Sequence, residues 1–68
     1  MILKGKTRKG KNRIRELGNE WDLIRTSDTV LFAQRIGPWG LIRPKNDVKG
    51  EKSRWIHLMF DQDFDIVG

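Results

Sequence analysis

Thr29–Lys45 reads Thr-Val-Leu-Phe-Ala-Gln-Arg-Ile-Gly-Pro-Trp-Gly-Leu-Ile-Arg-Pro-Lys, and the parsing of this stretch decides the fold. Two apolar runs, Val30–Ile36 and Trp39–Arg43, meet at Gly37-Pro38, a dipeptide that interrupts regular structure. β-Branched and aromatic residues fill both runs, and each has the length of a strand rather than a helix. The stretch therefore predicts a β-hairpin or tight strand pair. Val30, Phe32 and Ile36 fall on one face, and Leu31, Ala33 and Arg35 on the other. Pro44 stops the second run, because it has no N–H to give to a ladder.

Working outward, Trp21–Arg25 is a further strand by content, and Thr26–Thr29 has the chemistry of a turn. Beyond Pro44, Asn46–Lys52 is polar, contains Gly50 and predicts an exposed loop. Arg54–Phe60 then reads as a fourth strand, Asp61–Asp63 as a turn and Phe64–Val67 as a short fifth strand. On the other side, Asn12–Leu17 predicts one or two helical turns, with Asn12 as N-cap, Ile14 and Leu17 on one face and Gly18 as the stop. An internal echo links the strands: Trp21-Asp-Leu-Ile-Arg25 returns as Trp39-Gly-Leu-Ile-Arg43, and more faintly as Trp55-Ile-His-Leu58. A period this short falls below those of repeat architectures, so the echo predicts similar strands in one small sheet.

Charge is segregated along the chain. Net charge is +5. Lys4, Lys6, Arg8, Lys9, Lys11, Arg13 and Arg15 lie in the first fifteen residues, which hold no acid. The middle is nearly balanced, and the last eight residues carry Asp61, Asp63 and Asp65 with no base. Like charges and the glycines at positions 5 and 10 predict that residues 1–11 form a flexible basic arm, with residues 12–68 as the single folded domain; addition of Met1-Ile2-Leu3 to a sheet edge stays open.

Sixty-eight residues make one domain. A chain this short buries only roughly 60% of the surface its unfolded form exposes, so a homodimer is one way to enlarge its core. No cysteine is present, which removes disulfides and thiolate metal sites and fits a reducing, cytoplasmic setting. No run approaches the ~18 apolar residues that span a bilayer, and no apolar segment follows the basic start as in a secretory signal.

Five short strands joined by short turns, over residues 20–68, resemble a Src-homology-3-like barrel. The resemblance implies a mainly all-β fold: a small five-stranded antiparallel barrel, here with a basic arm and a short helical turn. Lys9-Gly-Lys-Asn-Arg-Ile-Arg-Glu-Leu-Gly18, ahead of Trp21, looks like the short basic reading frames of bacteriophages and prophages. That likeness implies an origin, and hence a host cytoplasm, rather than an activity.

Function classes narrow from here. Lone His57 has no second histidine or cysteine with which to assemble a transition-metal set, and reads as an ordinary strand residue. Asp61, Asp63 and Asp65 have the alternate spacing of a calcium loop, but its glycine and closing glutamate are missing. They predict an acidic turn, and whether it pairs with the basic arm is left open by the sequence. No phosphate loop, nucleophile elbow or catalytic carboxylate pair appears, so the expectation is a protein without enzymatic activity, metal or cofactor.

What remains is binding. Lysine and arginine on a flexible backbone neutralise phosphates without sequence preference, and the alternatives for the arm are a solvated tail or an acidic protein surface as partner. Most of the six aromatic rings are expected in the core, Phe32, Trp55 and Phe64 among them. Trp39, which follows Gly37-Pro38 and precedes Gly40, is the tryptophan of the three expected to be most open to solvent. The candidate nucleic-acid site is therefore Lys4, Lys6, Arg8, Lys9, Lys11, Arg13 and Arg15, helped by Arg35, Trp39, Arg43 and Lys45. The rival readings are a protein-interaction module, such as a phage adaptor or inhibitor of host machinery, and a self-associating structural component.

Overall fold

In a computed structural model, residues 1–28 and 36–68 are described. Their elements run β1 (Leu3–Gly5), α1 (Arg8–Leu17), β2 (Trp21–Ser27), β3 (Trp39–Pro44), β4 (Arg54–His57) and β5 (Phe64–Ile66). All strand pairs are antiparallel, and the strands form two sheets, β1-β5 and β2-β3-β4. The chain is thus a small, mainly β domain with one helix. Among the described residues the sheets do not close into a barrel.

Among the described residues the strands are five: β2, β3, β4 and β5 fall where strands are expected, and β1 lies in the segment expected as an arm. β3 is the centre of its sheet, with β2 along one edge and β4 along the other. Its partner in the register Trp21↔Pro44 to Ser27↔Trp39 is β2; the pairing predicted from sequence is with the Val30–Ile36 run. Positions 30–35 of that run lie outside the described residues; Ile36 is exposed and outside any strand. The Gly37-Pro38 bond is cis.

The fourth strand is shorter than predicted because His57 ends it. Its Nδ1 accepts N–H bonds from Met59 (3.3 Å) and Phe60 (3.0 Å), which bends the chain into a turn. Asp61, 8% exposed, holds the same corner: one carboxylate oxygen accepts from the His57 N–H (3.0 Å), and the other accepts from Asp63 (3.0 Å) and Phe64 (3.2 Å). Backbone donors that would otherwise lack partners at a strand end are satisfied there.

The segment 1–11 departs most from expectation. It is built into the body instead of trailing from it. Leu3 is a core residue, and β1 pairs with β5. Thr7 caps a helix that starts a full turn earlier than Asn12: its Oγ1 accepts from the Gly10 N–H (3.0 Å) and its hydroxyl donates to Asp63 (2.8 Å). The glycines that suggested freedom serve close packing. A Cβ on Gly5 would lie 2.4 Å from the Lys11 nitrogen, and one on Gly10 only 2.1 Å from the Asp63 carbonyl oxygen. The helix crosses β1 and the β5 turn backbone to backbone.

At its other end α1 stops at Gly18 (φ 87°), whose N–H donates to the Ile14 carbonyl (2.8 Å). Trp21 follows at once, and its indole N–H donates to the Gly18 carbonyl (3.0 Å). The core is Leu3, Trp21, Ile42, Ile56 and Phe64, with Ile14 and Leu17 packed against it from the helix. Alternation along β3 buries Gly40, Ile42 and Pro44 towards that core. Trp39, Leu41 and Arg43 face the other way. No helix is long and apolar enough to cross a membrane among the described residues.

Candidate nucleic-acid interface

α1 carries most of the expected cations, and its helical period sorts them. With 3.6 residues per turn, Gly10, Ile14 and Leu17 make the inward stripe. Arg8, Lys11 and Arg15, spaced i, i+3, i+7, form a stripe along one outer side. Lys9 and Arg13 lie along the other. Packing of the inward stripe on the core fixes where both rows point, so these cations sit on a rigid element and not on a loose arm.

Carboxylates then divide the cations into matched and unmatched. Lys6 pairs with Asp65 (3.5 Å) and Arg13 with Glu16 (3.9 Å). Lys45 pairs with Glu20 (3.2 Å) and Arg43 with Asp22 (3.4 Å). Lys4, Arg8, Lys9, Lys11 and Arg15 are exposed and have no carboxylate within ion-pair distance among the described residues. Asp65 also stands opposite Lys4 in the β1-β5 register, and Glu16 is a second exposed acid, on α1 itself.

Beyond the β1-β5 ladder, acidic residues of the end meet the basic start through side chains and backbone. Asp63 accepts the Thr7 hydroxyl, its carbonyl takes the Lys6 N–H (2.7 Å), and Asp65 meets Lys6. The match is partial, so most of the positive surface survives it. No group of three or more histidine and acidic side chains able to hold a metal occurs among the described residues.

The aromatic and arginine helpers are on a different face. Trp39 is half-buried, with its ring edge-on to His57 at 5.0 Å. Arg43 shares that outer face of the sheet but is tied to Asp22, and its Nε is buried. Lys45, beyond the end of β3, is held by Glu20. Arg35 lies outside the described residues. The structure therefore sets Lys4 and Lys11 at one groove, continues the row with Arg8 and Arg15, leaves Lys9 on the other row of α1, and places Trp39 and Arg43 on the outer face of the sheet. Of the aromatic rings expected in the core, Phe64 is buried, Trp55 is half-buried with the Arg25 guanidinium 5.4 Å from its centroid, and Phe32 lies outside the described residues.

Sequence reading missed the groove beside the cationic stripe. Ile2, Ile14 and Val67 line it, with Lys4, Lys11 and Asn19 at its polar rim, and its volume is about 450 Å³. Ile2 and Val67 meet because the chain ends are neighbours: the Val67 N–H donates to the Ile2 carbonyl and the Ile2 N–H to that of Gly68, both at 2.9 Å. Nothing in the local sequence announces that meeting of the two ends.

The chain matches no protein-family model, no curated protein and no solved structure. Its reading rests on its own geometry.

Proposed function

We propose that this protein is a small nucleic-acid-binding module that attaches through the cationic side of α1. The observation that carries this reading is clustering: Lys6, Arg13, Arg43, Lys45 and Arg54 are held by carboxylates, whereas Lys4, Arg8, Lys9, Lys11 and Arg15, all on β1 and α1, have none among the described residues. Unmatched like charges cost stability through mutual repulsion, and those near the start of α1 also oppose its macrodipole. A phosphate backbone relieves both costs by neutralising the charges and releasing its counterions. Backbone contacts of this kind position the protein without reading sequence.

Anisotropy titrations of labelled duplex and single strands across salt test it. Affinity is expected to fall steeply with salt. Replacing Arg8, Lys11 and Arg15 together by glutamine is expected to flatten the log–log slope by roughly two to three. Absence of binding at low salt, or a slope the triple variant leaves unchanged, rejects the reading.

A protein-interaction module is the second reading, and β2 favours it. Asp22–Thr26 are exposed in succession, with Leu23 and Ile24 each 46% accessible. An exposed strand with apolar side chains suits strand addition by a partner.

A further inference from the structure

We propose that the groove between β1 and α1 receives an unstacked base, so that the ligand is a single strand rather than a duplex; this rests on the nucleic-acid reading above. A charged stripe alone does not distinguish the two, since both present phosphates. The groove adds a second kind of chemistry directly beside that stripe. Ile2, Ile14 and Val67 give it aliphatic walls, and Val67 is 59% exposed, an apolar side chain left in water. Its volume of about 450 Å³ falls in the ~300–1,000 Å³ range of ligand pockets.

Charge complementarity selects the occupant. Lys4 and Lys11 stand at the groove, and Arg8 and Arg15 continue the row along α1, while no carboxylate lines it. A ligand that fits must join a flat apolar body to regularly spaced anions. A nucleotide chain does so: its phosphates follow Lys4, Lys11 and Arg15 while one base turns inward between the aliphatic walls. Asn19 supplies the polar group for the base edge. It lines the groove, its backbone carbonyl is spent on the Leu3 N–H (2.9 Å), and its side-chain amide has no partner among the described residues. A stacked duplex keeps its bases inside and has nothing to place there.

The test compares oligothymidylate, its duplex with oligoadenylate, and inorganic polyphosphate. The paired substitution Asn19→Ala with Val67→Ser leaves net charge unchanged and touches only exposed side chains. In the native chain the single strand is expected to shift the Val67 methyl and Asn19 side-chain amide resonances, and polyphosphate is not. The double variant is expected to lose roughly tenfold in affinity for the single strand and to keep its affinity for duplex and polyphosphate. Equal binding of single strand and duplex overturns the proposal, as does a groove that responds to polyphosphate just as it does to the oligonucleotide; either outcome leaves the electrostatic reading in place. Perturbation of the groove by an acidic peptide but by no oligonucleotide overturns both.

Discussion

Gly10 stands where a methyl group has no room. Helix propensity alone favours alanine there by about 1 kcal/mol, yet an added Cβ would meet the Asp63 carbonyl oxygen at 2.1 Å. Backbone cannot swing aside as a side chain can, so packing outweighs propensity. Gly10→Ala is expected to destabilise the fold by about 1–3 kcal/mol, read as a lower denaturant midpoint at unchanged slope. A raised midpoint would mean that α1 does not cross β5 so closely. The tryptophan echo carries a similar lesson. Trp21 and Trp39 open the same five-residue pattern, but β2 and β3 place Trp21 opposite Pro44 and Trp39 opposite Ser27. Trp21 faces the core at 1% exposure, while Trp39 lies on the other face. Equal words in sequence are out of phase by one residue in the sheet, and the register slips between Leu23 and Arg25.

The elements were legible in proportion to how local their signals are. β2 and β5 are visible from their apolar and β-forming content, β3 also from Pro44, and the stop at Gly18 from its glycine. The true start of α1 was not, because its cap, Thr7, is fastened by Asp63 from the far end of the chain. A run of cations with glycines has the composition of disorder, and only a tertiary contact makes it a helix. The cations themselves were legible; which of them are free was not, since that depends on where Asp65, Glu20 and Asp22 fall. The same placement sets a measurable balance in β5. Asp65 pairs with Lys6 and stands opposite Lys4, with its side chain 55% exposed. Asp65→Asn is expected to change stability by no more than about 1 kcal/mol and to tighten polyanion binding, with a salt slope steeper by roughly one. Unchanged affinity would place the binding surface away from β1.

At the scale of the molecule, the two chain ends form one structure. β1 is the partner of β5, Leu3 lies in the core, and Thr7 ties α1 to the turn before β5. Deleting residues 1–7 therefore does more than trim charge. It removes a 2%-exposed core side chain, the helix cap and one strand of a two-stranded sheet. Losing a buried leucine alone costs about 2–5 kcal/mol, against a total stability for small domains of about 5–15 kcal/mol. The truncated chain is expected to give a collapsed amide NMR spectrum and no cooperative thermal transition, so its failure to bind nucleic acid would reflect unfolding. The Arg8, Lys11 and Arg15 glutamine variant is expected to keep a dispersed spectrum, because those residues are exposed and glutamine is a comparable helix former. A truncated chain that melts cooperatively with dispersed amides would show instead that the basic start is an appendage, and the fixed geometry of the cationic stripe would lose its foundation.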